Sequence, residues 1–466
     1  MKRYWCQFFL VAFPLMFLWS IANPMFASPD EPSHMVRAQG VVRGDFEAPY
    51  KVDGIPVRDI KCLAFQEEVP ASCMKLEWAD SPTFENSTAT NYPPLFHFLA
   101  GLPSLLFSGL SGAYVMRVWM AVICSGLLAL SGAVLFHRYK SSFVLLGWGI
   151  SITPMTLFLS GTVNPSGLAT ALGSVVWATG MTLFDADKNT DRRWLRNALV
   201  LSALAFSLVR RDSLLWLLSI GASLGVLNYN SLKSYVSRSK AIKAISLCGV
   251  ISVVGVLWVL PSASIFTGGN GSRSRFGAIP NDTYTYLKQA IGWFGWLDTP
   301  LSESAMALAV LTLGLFILIG FCFANRELSQ SMLVTGLLIF LIPLVFAEFR
   351  YPYFQGRYYL PLIIGLSFLS ARSLAYSEIK HQAKNRLMFF TFAAWGLVHA
   401  WSFLINLVRY ADNSEGWWIG AQGGRWYQSS YMAVLFGLVI LGSVLAAFRM
   451  IQKETSCKLE SITGLN

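Results

Sequence analysis

Long apolar runs, separated by short polar connections that carry Lys and Arg, form the first pattern in this chain. Runs long enough to span a bilayer fall at about 5–27, 113–136, 141–160, 164–184, 196–210, 213–229, 242–261, 302–324, 331–348, 358–376, 387–408 and 430–449. The pattern predicts an all-α, polytopic transmembrane protein with about 12 spans, two of them short. The stretch 94–110 is apolar too, but Gly101, Pro103 and Gly109 interrupt it. It reads either as a further crossing or as a helix lying at the interface.

The distribution of positive charge selects between these readings. With 94–110 kept on the outer side, the connections holding Arg138/Lys140, Lys188/Arg192/Arg193, Lys233/Arg238/Lys240 and Lys380/Lys384/Arg386 all fall in the cytoplasm, as the positive-inside rule requires. Both termini are then cytoplasmic, and two long segments, 28–93 and 262–301, lie in the periplasm. A single membrane domain over 1–450 with a cytoplasmic tail at 451–466 follows, in a bacterial inner membrane. Lys2 and Arg3 before the first run also resemble a signal peptide, with small residues near Ala27. An uncleaved first helix is preferred, because cleavage would sever Asp30 and Glu31 from the segment that holds them at the membrane face.

Composition agrees. Of 466 residues 54% are hydrophobic and 13% charged, against about a quarter charged in soluble domains, and the mean hydropathy is +0.50. A soluble globular enzyme is excluded. The net charge of +11 is spread over topology-setting clusters rather than one basic tract, so no nucleic-acid partner is expected. Among the seven cysteines only Cys62 and Cys73 share a long outer segment. An oxidising periplasm permits a disulfide between them; two free thiols are the alternative.

Candidate chemistry gathers at the outer face. Asp30 and Glu31 follow the first run directly, with His34 and Arg37 one helical turn on. If Pro32 opens a helix, its positively polarised end favours ionised carboxylates there. Such a carboxylate can take a proton from a hydroxyl or hold a cation; equally, Asp30 can be a plain helix N-cap. Tyr92, two prolines and His97 then open the next apolar helix. Trp296 and Asp298 close the second long outer segment and make a sugar platform or an interfacial aromatic anchor. Arg350 and Arg357, the latter followed by Tyr358, can grip phosphate oxygens or merely snorkel. Asn164 and the run Arg210-Arg211-Asp212 lie near the same face. No Walker loop, dinucleotide fingerprint or zinc-type Cys/His spacing is present, so cytoplasmic ATP is not indicated as the energy source.

Four of these motifs in order are Pro-Asp-Glu-Pro-x-His-x-x-Arg-Ala, Tyr-Pro-Pro-Leu, Gly-Trp-Leu-Asp and Gln-Gly-Arg-Tyr-Tyr-Leu-Pro. Together they resemble the bacterial membrane family known as domain of unknown function 2142, from about residue 10 to 410. That family is similar to the GT-C glycosyltransferases, which use polyprenyl-phosphate-sugar donors. The resemblance implies a GT-C-like architecture with a long first periplasmic loop. It implies transfer of a sugar from a polyprenyl-phosphate carrier to a glycan or lipid-linked acceptor, in polysaccharide biosynthesis. Asp30 falls on the position of the catalytic or metal-contacting carboxylate, with Glu31 beside it. His34, Arg37, Tyr92, Trp296, Asp298, Arg350, Arg357 and Tyr358 become substrate-binding candidates. No cofactor is demanded, although a divalent cation at Asp30/Glu31 is compatible. The sequence departs from the family at Ser166, where an Asp often stands after Asn-Pro. An O-antigen polymerase or ligase, and a transporter or flippase of lipid-linked glycans, are the competing readings.

Overall fold

The computed structural model describes residues 1–53, 55, 62–74, 78, 81–185, 192–229, 279–348, 354–410, 434–443 and 445. Fifteen labels suffice for its α-helices. They are α1 (Lys2–Ala22), α2 (Glu31–Val42), α3 (Pro94–Gly101), α4 (Gly109–Tyr139), α5 (Ser142–Ser151), α6 (Pro154–Ser160), α7 (Pro165–Phe184) and α8 (Arg192–Ser207), followed by α9 (Ser213–Leu227), α10 (Ile279–Gly292), α11 (Glu303–Cys322), α12 (Arg326–Glu348), α13 (Leu360–Ala375), α14 (His381–Tyr410) and α15 (Val434–Ser443). Among the described residues there are also two small two-stranded antiparallel sheets: β1 (Tyr50–Val52) with β2 (Thr83–Glu85), and β3 (Trp293–Phe294) with β4 (Thr299–Pro300).

Among the described residues six helices are long and apolar enough to cross a membrane, or up to seven if the bent pair α5–α6 counts as one span. The expected count of about twelve is not confirmed among these residues, for identifiable reasons. α7 is long enough but rich in Gly, Ser and Thr, and every described side chain on it is buried. α8 and α9 have 16 and 15 residues, short of the roughly 20 a helix needs to span the hydrocarbon. The run at 242–261, the tail at 451–466 and residues 262–278 lie outside the described residues. α5 and α6 meet at 66° because Pro154 has no N–H to continue the ladder. The Thr153 hydroxyl instead accepts from the Thr156 N–H at 3.2 Å and so starts the second helix.

Burial explains why these helices belong in lipid. α1, α4, α7 and α13 pack at the centre, where Trp19, Trp177 and Phe158 are fully enclosed. The outward faces of α11, α12 and α14 carry Leu311, Leu315, Leu318, Leu337, Phe340 and Phe390, all exposed. In water such a band would drive aggregation, whereas in hydrocarbon it costs nothing. The interrupted stretch after Pro94 forms α3 and a 3-10 turn, Pro94–Leu105. Twelve residues reach about 18 Å, too short for a core of about 30 Å, so this segment does not cross as one helix. It packs on α2, and Gly101 permits the approach: a Cβ there would lie 2.1 Å from the Ala38 carbonyl oxygen.

Candidate active site

Local backbone frees one carboxylate and buries the other. Asp30 occupies the N-cap position of α2 but adopts φ 62°, ψ 0° and makes no side-chain cap bond. Asp is among the few L residues that tolerate this left-handed conformation. Its carboxylate therefore turns away from the helix end and accepts from Arg357 Nη2 at 2.8 Å. The capping alternative does not hold. Glu31 points the opposite way, into a fully buried pair with Arg117, whose Nε and Nη2 donate to Glu31 Oε1 and Oε2 at 2.8 and 2.6 Å. The Val163 N–H donates to Oε1 as well, at 3.0 Å. The rest of the Arg117 guanidinium donates to the carbonyls of Ser20, Asn23 and Pro24. With its oxygens thus engaged, Glu31 fixes the turn between α1 and α2.

Arg357 reaches Asp30 through a close approach. Gly356 donates its N–H to Gln289 Oε1 at 2.7 Å, and a Cβ on Gly356 would lie 1.8 Å from the Tyr286 carbonyl oxygen. Only glycine lets this turn rest on α10 and aim the next side chain inward. The Arg357 side chain is 3% exposed, yet its Nε and Nη1 have no partner among the described residues. Two buried donor nitrogens on a fixed guanidinium can receive an anion. Beside them the Arg210 guanidinium stacks on the Tyr358 ring at 4.1 Å, with Arg357 over the same ring at 5.5 Å. Arg210 is held by Asp212 at 2.8 Å and donates to the Ser166 hydroxyl. Arg211 lies 5.5 Å from the Tyr92 ring centroid. Asn164 closes the floor, capping α7 through Ser166 and donating to the Pro29 carbonyl at 3.0 Å.

Electrostatics follow from this packing. Burial alone would raise the Asp30 carboxyl, but the neighbouring charges, Arg357 foremost, carry it below its ordinary value. Burial pushes His34 down to about 3 and Tyr92 up to about 12, so both are neutral at physiological pH. His34 sits against His97, Nδ1 to Nε2 at 3.2 Å.

The remaining sequence candidates divide. Tyr92, His34, Arg357 and Tyr358 gather around Asp30. Arg37 is 1% exposed and its Nη1 donates to the Ala89 carbonyl, so it braces the turn before α3. Trp296 donates to the Phe26 carbonyl at 3.0 Å and packs on Phe65. Asp298 faces Arg409 at 3.6 Å and accepts from Thr299. Arg409 in turn donates to the Val69 carbonyl at 2.6 Å and to that of Gln66, on the loop closed by the Cys62–Cys73 disulfide. Trp296 and Asp298 thus engage that loop, Trp296 through Phe65 and Asp298 through Arg409. Arg350 lies outside the described residues.

The donor set does not suit a divalent cation. Asp30 and Glu31 diverge, each is engaged by an arginine, and among the described residues no group of three His, Cys, Asp or Glu converges. Sequence reading missed Arg117, although a lone arginine inside the apolar run 113–136 is a signal in its own right. A cavity of about 750 Å³ lined by Arg3, Trp148, Trp395 and His399 lies among α1, α5, α14 and α15. It includes none of the residues around Asp30.

A family described as predicted membrane protein (DUF2142) matches residues 13–366. No curated protein matches the chain. Among solved structures, ArnT from Cupriavidus metallidurans in the apo state is 11% identical, with 94% of this chain and 75% of that chain covered and a TM-score of 0.48. The same protein bound to undecaprenyl phosphate is 12% identical, with 96% and 77% covered and a TM-score of 0.45. Likeness at this level carries no argument about chemistry.

Proposed function

We infer that this chain, which belongs to the DUF2142 family of membrane proteins, is a glycosyltransferase of GT-C type. It moves a sugar from a polyprenyl-phosphate carrier to a hydroxyl of a periplasmic cell-surface glycan. The observation that carries this reading is Arg357, buried beside Asp30 with two N–H donors unpartnered among the described residues. The sugar is attacked at its anomeric carbon by the acceptor oxygen. The new C–O bond forms as the bond to the carrier phosphate breaks, and configuration inverts. The hydroxyl proton passes to the Asp30 carboxylate. The departing phosphate keeps the electron pair, and its developing charge meets Arg357 Nε and Nη1 with Arg210 behind them. Asp30 is a weak base, but phosphate leaves readily, so the proton need move only late. Glu31 positions Asp30 through the Arg117 pair.

Binding of undecaprenyl phosphate to the protein in lipid nanodiscs tests the reading. Arg357→Gln should weaken it about tenfold or more, ~1.4 kcal/mol, and Arg357→Lys should recover part, keeping the charge but not the fork. Equal binding by all three proteins overturns the assignment. A transporter would leave the sugar–phosphate bond intact, which analysis of the lipid product distinguishes.

The accompanying topology places both termini in the cytoplasm of the inner membrane, with 28–93 and 262–301 in the periplasm. Reporter fusions at Asp53 and Asn189 should fall in opposite compartments.

A further inference from the structure

The two histidines under the site form a chain that ends on a backbone carbonyl, an acceptor that favours one set of proton positions. The Pro93 carbonyl can only accept, so its 3.4 Å contact with His97 Nδ1 is a hydrogen bond in the tautomer that carries the hydrogen on Nδ1. Neutral His97 then has a bare Nε2, which accepts from His34 Nδ1 at 3.2 Å. Neutral His34 is left with an unprotonated Nε2, for which the described residues supply no partner. Burial keeps both rings neutral; the positive charges of Arg357, Arg210 and Arg37 act in the same direction on His34, and Asp30 acts against them. The edges of Tyr92 and Phe96 pack against the ring and hold its orientation. His34 stands one helical turn from Asp30, its N–H bonded to the Asp30 carbonyl at 3.0 Å, and the two side chains are near enough to act on each other's charge.

We propose that the site is polarised, with phosphate bound at the Arg357–Arg210 end and a hydroxyl-bearing group, a sugar or polyol, bound at the α2 end, where His34 Nε2 and the Asp30 carboxylate act as paired acceptors. This rests on the glycosyltransferase reading and adds an orientation to it. A phosphodiester, or a phosphate monoester above its second pKa of about 6, has no proton to give and is repelled by a lone pair, whereas two neighbouring sugar hydroxyls supply one O–H to each acceptor.

The chain has five histidines, few enough for ¹⁵N NMR of histidine-labelled protein in nanodiscs, with His34→Gln identifying the His34 signals. His34 should show a protonated Nδ1 and bare Nε2, unchanged between about pH 5.5 and 7.5. His97→Phe should release the lock and mix the tautomers. An Nε2–H or imidazolium form of His34 in the unaltered protein overturns the proposal. A methyl hexopyranoside should move the His34 Nε2 resonance and undecaprenyl phosphate should not; the reverse result overturns the polarity. His34→Gln should bind undecaprenyl phosphate within about twofold of the unaltered protein, and a tenfold loss would place the phosphate on His34 instead. Failure of the unaltered protein to bind undecaprenyl phosphate sinks the parent reading and is read separately from the tautomer.

Discussion

Arg357 Nη2 donates to Asp30 Oδ2 at 2.8 Å across 327 positions of sequence, and the pair sets an ionised carboxylate against a guanidinium with donors to spare. Asp30→Asn keeps the side-chain shape, and Asn also tolerates the left-handed backbone. The variant should reach the membrane at normal levels and lose transfer by about two or more orders of magnitude. Glycan analysis of cells carrying it decides the point; near-normal modification would remove Asp30 from the reaction.

Glu31→Gln should behave in the opposite sense. It leaves Arg117 with an uncompensated charge in a fully buried site, a loss of about 3–5 kcal/mol where one partner of such a pair is removed. Lower thermal stability and less protein in the membrane are expected, with activity per folded molecule largely kept. A variant of full stability and no activity would return Glu31 to the chemistry.

The pH profile follows from the sign of the Asp30 shift. Its carboxyl in the folded protein lies below its ordinary value of 3.8. Stability from the Arg357 pair is therefore complete above the unfolded value and lost only as pH falls through the lower folded one. Neither this pair nor His34, held at about 3, titrates near neutrality. Transfer rates should show no acid limb from these groups between about pH 5 and 7; a limb near 6 that vanishes in Asp30→Asn would contradict the shift.

Replacing Cys62 and Cys73 together by Ser should loosen the loop without preventing insertion. Eleven positions separate the two, and closing a loop of that size stabilises by about 2–3 kcal/mol in the chain-entropy account. Limited proteolysis should cut within 62–74 faster in the variant, and in the unaltered protein after reduction. Identical cleavage with and without reductant would show that Arg409 alone holds the loop.

Much of this was legible in the chain itself. Apolar runs produced helices near the expected places because lipid demands helices whose backbone groups are satisfied internally. The same logic located the carboxylates, Tyr92 and Arg357 at helix ends, where polar groups can leave the hydrocarbon. Sequence also marked Pro94–Leu105 as an interrupted stretch, since Gly and Pro act locally. What it could not decide was which neighbour each charge would find. Asp30 and Glu31 are adjacent and chemically alike. One became a half-exposed partner of Arg357 and the other a buried partner of Arg117, because a left-handed φ at Asp30 turns their side chains apart. Likewise Asp298 beside Trp296 read as a sugar platform until the fold brought Arg409 to it. Hydropathy and capping are encoded within a few residues, whereas ion pairing is set by atoms brought within 3–4 Å from distant segments, and that selection belongs to tertiary packing.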